Sequence, residues 1–231
     1  MQKILHVADD RGIAEHDWLS SRFSFSFAEW YEPSRMGFGA LRVLNDDTIA
    51  PHSGFPPHSH RDMEIITIVT GGVVSHTDSL GNNYQIPKGD VQVMSAGTGV
   101  THAEMNEGDE PLTLFQLWIA PLAKGLPSRY EQGSFLGDED QLLVSPDGRD
   151  GSLTIQQNAF ISRLRVTEGL SNAYSLNSSD NCTYIFVVEG SIKVLGEELH
   201  TRDAMGVWEM DLIAFEGLAD AEVLFIEVPM R

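Results

Sequence analysis

The sequence predicts an all-β fold of two small barrels in tandem. Three observations carry that expectation: short apolar runs punctuated by turn residues, a faint internal repeat, and a polar connector between the halves. The 231 residues permit it, because domains run to roughly 100–200 residues and the chain can bury one large core or two small ones. With 42% hydrophobic and 21% charged residues, it has the composition of a globular protein.

Taken in order, the first segment, "SSRFSFSFAEWY", is aromatic-rich and alternating, and suits a short helix or a strand equally. It stays unassigned. Then come "ALRVLNDD", "EIITIVTGG", "VQVMSAG", "LTLFQLWIAP", "SLTIQQNA", "YIFVVEG" and "EVLFIEVP". Val, Ile, Phe and Leu fill these runs and Gly, Pro, Asn or Asp separates them, the pattern of short antiparallel strands with tight turns. The repeat lays "IITIVTGGVVSHTDSLGNNYQIPKGDVQVMSAG" beside "YIFVVEGSIKVLGEELHTRDAMGVWEMD": strand, glycine turn, strand, polar turn, strand. Between the copies, residues 125–152 concentrate Gly, Pro, Ser and Asp. A division near residue 140 gives an N-terminal barrel over 1–139 and a C-terminal barrel over 140–231.

Fifteen Lys plus Arg against thirty-four Asp plus Glu leave a formal charge of −19, which repels nucleic-acid phosphates and anionic lipid. Direct nucleic-acid binding is excluded on that ground. The start, "MQKILHVADDRGIAEHDW", lacks the apolar stretch of a signal peptide, and no run approaches the roughly 18 apolar residues of a membrane helix. The expectation is a cytoplasmic chain without a membrane partner. Cys182, the single cysteine, excludes an internal disulfide and reads as a small buried residue.

The chemistry concentrates in "GFPPHSHRDMEIITIVTGG", residues 54–72. Side chains alternate faces along a strand, so His58, His60, Asp62 and Glu64 point one way if the extended pairing runs on without a bulge. Some forty residues on, in "MSAGTGVTHAEMNEG", His102 and Glu104 again share parity, after the Gly97-Thr98-Gly99 turn. Imidazoles with a carboxylate suit a borderline divalent ion: iron, zinc, nickel, copper, manganese or cobalt. Parity does not choose between Glu64 and Glu104. Leu114, Gln116 and Trp118 share a face, and Gln116 is the polar residue of an apolar strand, able to bond a bound water, a substrate or the backbone. His6, His16, His52 and His76 have no partner at ligand spacing and read as surface or loop residues.

Gly54-x3-His58-x-His60-x3-Glu64-x6-Gly71 resembles the first cupin motif, and Gly97-x-Gly99-x2-His102-x3-Asn106 the second. The Gly54-to-His58 spacing is short, and Gly97 stands where many cupins have proline. With "FSFAEWYEPSRMGFGALRVLNDD", "HSHRDMEIITIV", "MSAGTGVTHAEMN" and "LFQLWI", residues 1–150 resemble the pirin family of two-barrel cupins, a likeness that thins toward the C-terminus. The resemblance implies a bicupin whose N-terminal barrel alone binds metal. Residues 151–231 agree in holding one histidine, His200. It also implies a ligand set of His58, His60, His102 and Glu104, with Glu64 outside it as a carboxylate that orients a ligand. Iron is the first expectation among the divalent ions. Several bacterial pirins act as quercetin 2,3-dioxygenases, so the implied partners are a small aromatic substrate and dioxygen, with Glu104 as general base. The alternatives are a regulator that binds a partner protein, with the metal as a redox or structural switch, and a cupin enzyme acting on another small molecule.

Overall fold

The computed structural model describes residues 1–230. Strands dominate it, beside two three-residue 3-10 turns at Ala8–Asp10 and Arg149–Gly151. They form two sandwiches, each with a seven-stranded and a four-stranded sheet. In the first, the large sheet runs Arg129–Ser134, Asp90–Ser95, Glu64–Gly71, Leu112–Ile119, Leu41–Ile49, Leu19–Phe23, Gly12–Glu15. Its small sheet runs Ser53–His60, Val100–Asn106, Val73–Asp78, Asn83–Pro87. In the second, the large sheet runs Gln2–His6, Ala204–Trp208, Asn181–Glu189, Ala221–Pro229, Phe160–Val166, Gln141–Ser145, Leu153–Thr154. The small one runs Ser171–Ser175, Leu212–Gly217, Ser191–Val194, Glu197–His200.

The internal repeat is visible in this order. Asp90–Ser95, Glu64–Gly71, Leu112–Ile119 and Leu41–Ile49 are neighbours in one large sheet, as Ala204–Trp208, Asn181–Glu189, Ala221–Pro229 and Phe160–Val166 are in the other. The unassigned aromatic segment begins as the strand Leu19–Phe23, with Leu19, Ser21 and Phe23 buried, and ends in a turn where Phe27 bridges Trp30 and Ala28 takes φ +51. The alternation that permitted a strand is the one that won.

One element crosses between the halves. Gln2–His6, counted by chain position with the first barrel, pairs with Ala204–Trp208 and forms an edge of the second large sheet. His6, expected at the surface, is buried there with Nδ1 2.9 Å from the Tyr184 hydroxyl.

The two large sheets meet back to back. Leu44, Ile66, Ile68, Phe115 and Leu117 of the first share one apolar cluster with Ile161, Tyr184, Phe186, Leu224 and Ile226 of the second, and the Phe115 and Phe186 rings stand 5.4 Å apart. Burying one such side chain stabilises by about 1.5–3 kcal/mol, so this layer joins the barrels firmly. The opposite faces line the two interiors, and these differ in kind. The second is filled by Ile185, Val187, Ile192, Leu199, Met205, Ile213, Phe215 and Phe225, while His200 is exposed. The first is apolar at its ends and polar between them, with Asn45, Asp47, Thr67, His76, Gln92, His102 and Glu104 all buried. Buried polar groups on that scale need partners or a function. Among the described residues no helix is long and apolar enough to cross a membrane.

Candidate metal centre

The small sheet of the first barrel assembles the site, because its strand Val100–Asn106 lies between two strands that carry histidine. His102 stands opposite His58 on one side and Asp78 on the other; Glu104 stands opposite Phe55 and His76. Between those two rows the register slips, with Pro56 and Pro57 facing Ala103 alone. Proline has no N–H to give the ladder, and the chain bulges there. Glycine is required nearby for close approach. A Cβ on Gly54 meets the Glu104 carbonyl oxygen at 2.4 Å, and one on Gly97, at φ +45, meets that of Leu126 at 2.2 Å.

His58, His60 and His102 each offer a donor atom within 4.8 Å of the others, with ring centroids 4.4–4.9 Å apart. His58 and His60 are half-buried, whereas His102 and Glu104 are each 2% exposed. The His58 Nδ1–H donates to the Pro56 carbonyl at 2.8 Å, which leaves the Nε2 lone pair free. Neither ring nitrogen of His102 has a hydrogen-bond partner, although both are buried. Converging imidazole lone pairs with no donor to meet them suit a divalent cation.

Glu104 is held from three sides. Its Oε2 accepts from Gln116 Nε2 at 2.7 Å, and its Oε1 from Gln92 Nε2 at 3.2 Å and Thr67 Oγ1 at 3.3 Å. Gln116 is oriented in turn, because its Oε1 accepts the Trp118 indole N–H at 3.0 Å and that indole only donates. Gln116 thus bonds a carboxylate, a partner that alternation alone did not select.

Two sequence expectations are corrected here. Asp62 takes φ +51 and interrupts the extended chain between His60 and Glu64, so parity does not carry across it. Glu64 shares the face of Ile66 and Ile68, which pack toward the second barrel; its Oε2 accepts from Ser95 Oγ at 2.6 Å and the Gln156 N–H at 3.1 Å. It ties the barrels together and orients no ligand. His76, expected on the surface, is fully buried, and its ring lies 5.4 Å from that of His102. The parity it shares with buried Val74 was the available signal.

Burial holds three imidazoles neutral. His60 is lowered to about 4 with help from His102 and His58, His102 to about 3 with help from His58 and His76, and His6 to about 4 with help from Arg35. Unfolded, each takes a proton near 6.5; folded, each does so only near its lowered value. The unfolded chain therefore binds more protons in between. The metal-free protein is expected to lose stability as pH falls through that window, by up to about 1.4 kcal/mol per pH unit for each imidazole. The Asp47 carboxyl, pushed up to about 7 by burial, and Glu64, also raised by burial, hold protons in the folded state and oppose the trend. The imidazoles outnumber them. Urea unfolding at several pH values checks the sign, and His6→Gln, remote from the site, should flatten the slope by about one proton; an unchanged slope would refute the assignment.

One cleft opens on the cluster, and a groove lies beside it. His60 lines a cleft of about 430 Å³ with Ser59, Arg61, Thr98 and Thr101. Trp118, whose ring meets that of His60 at 4.9 Å, lines a groove of about 400 Å³ with Phe27, Trp30, Tyr31, Arg42 and Met63. A larger cavity, about 720 Å³, lies elsewhere, between the barrels, and none of its lining residues belongs to the cluster. The donor set, and not cavity size, marks the site.

The pirin family profile matches residues 6–119, and one described as a quercetinase C-terminal cupin domain matches residues 142–228. The chain is 42% identical to quercetin 2,3-dioxygenase of Escherichia coli K12 over 227 residues, 97% of this chain and 98% of that protein. It is 40% identical to a pirin-like protein of Caulobacter vibrioides over 225 residues, 95% of this chain and 96% of that one. The crystal structure of the bacterial pirin YhhW of Escherichia coli, in complex with nickel(II), superposes with a TM-score of 0.95 at 41% identity, covering 100% of both chains. With its two tandem barrels and both profiles matched in order, the chain belongs to the pirin family of bicupins.

Proposed function

We propose that the protein is a metal-dependent dioxygenase of the quercetin 2,3-dioxygenase type, opening the central ring of a flavonol with release of carbon monoxide. The observation that carries this reading is the junction of a donor cluster with an aromatic-walled groove. His58, His60 and His102, with Glu104 grouped to them through His102, would hold a divalent ion, which would supply Lewis acidity toward a bound hydroxyl. Relatives named for this activity, and one that holds nickel(II), support the reading.

The chain's own residues supply the rest. Phe27, Trp30 and Trp118 present aromatic surfaces to a flat phenolic ring, and Arg42, with no acidic partner among the described residues, attracts its phenolate. Glu104, whose oxygens are aimed by Gln116, Gln92 and Thr67, takes the proton of the flavonol 3-hydroxyl. Its burial excludes water that would compete for that proton.

Metal-free protein is to be reconstituted with iron, nickel, manganese, cobalt, copper or zinc singly, and quercetin loss and carbon monoxide followed in air. Metal-dependent loss with carbon monoxide is the expected result. Stoichiometric metal with no turnover by any ion would overturn the enzyme reading in favour of a regulator that binds a protein partner.

A further inference from the structure

His76 has no part in the reaction proposed above, yet it is 0% exposed and sits at the back of the donor cluster. Its Nε2 lies 3.2 Å from Asp78 Oδ2. Asp78 is committed as an acceptor: Oδ1 takes the N–H groups of Leu80 and Asn82, and Oδ2 the side-chain amide of Asn82. The hydrogen of His76 therefore resides on Nε2, and the lone pair on Nδ1. That Nδ1 is buried and has no partner. Tyr130 covers the ring at 4.8 Å and its hydroxyl is spent on Gln132, so it does not supply the missing donor.

His76, His102 and Glu104 each offer a donor atom within 4.8 Å of the other two. Donors each about 2.0–2.2 Å from a shared ion stand at most roughly 4.4 Å apart, so a small closure makes this a coordination set. We propose that Asp78 makes His76 a fifth donor, and that the cluster holds a divalent cation at either of two overlapping positions sharing His102. The outer position, His58, His60 and His102, opens on the cleft lined by His60. The inner position, His76, His102 and Glu104, is buried throughout and serves as a resting place for the ion, deeper than the position that opens on the cleft. The inference rests on the reading of the cluster as a metal centre.

Cobalt(II) binding to the full chain, followed by its visible bands and by competition with a chelator, tests it. The double variant His58→Ala/His60→Ala should still bind cobalt, more than roughly 100-fold more weakly than the parent because two ligands are lost, and adding His76→Gln should abolish that binding. In the otherwise unchanged protein, His76→Gln should shift the cobalt bands while the circular dichroism stays that of the parent. Should the triple variant fail to fold, Asp78→Asn in the double variant asks the same question, since it removes the acceptor that aims the lone pair. No cobalt in a folded double variant, or equal binding with and without His76, would overturn the inference and leave the metal-centre reading intact. No cobalt in the parent would overturn both.

Discussion

Replacing His102 with alanine is expected to strip the protein of metal, while His58→Ala and His60→Ala each leave a weakened site. His102 sits in the middle strand of its sheet, paired to both neighbours, and belongs to both donor groupings. Loss of a group that merely supports a ligand costs about 10–100-fold in metal affinity, and loss of the shared ligand should exceed that. Metal analysis after dialysis reads the effect directly. Thermal melts read it a second way, because an ion present at 100 times its dissociation constant stabilises by about 2.7 kcal/mol. The parent should melt higher with added metal and the His102→Ala protein should not. One ion per chain in that variant would remove His102 from the site.

Glu104→Gln separates coordination from proton transfer. The amide keeps an oxygen but cannot take a proton, and general-base catalysis is worth about 10²–10⁴-fold. Turnover should fall by that order while bound metal declines far less. The new amide can keep its oxygen toward Gln116 and turn its NH2 toward Gln92, whose own buried oxygen has no partner and can accept it. The fold should therefore tolerate the change, and the denaturant midpoint should stay near that of the parent. Equal loss of metal and turnover would make Glu104 a ligand alone; unchanged turnover would exclude it from the chemistry.

Much of this was legible in the residues themselves. Alternation in the runs from "ALRVLNDD" to "EVLFIEVP" marked the strands, and His58, His60 and His102 stood out because histidine is scarce and their spacing matches extended chain. The errors share one cause. Alternation is a local rule, valid only while the chain stays extended, and a single left-handed residue, Asp62, cancels it, which is why Glu64 turned toward the neighbouring barrel. His76 is hidden for the complementary reason. Its partners, Asp78 apart, lie in other strands, at His102, Glu104 and Tyr130, and only cross-strand register brings them together. The partner sheet of Gln2–His6 was illegible for the same reason, since strand pairing is a long-range choice.

That first strand carries a consequence for any attempt to dissect the molecule. A fragment cut near residue 140 to isolate the second half would leave Ala204–Trp208 as a bare sheet edge, its N–H and C=O groups facing solvent, a template for self-association. The opposite fragment would trail a severed ribbon with nothing to pair. A soluble version of the second half therefore has to import residues 2–6, by fusion or by circular permutation, and a tag on Met1 hangs from the half of the protein that is last in the gene.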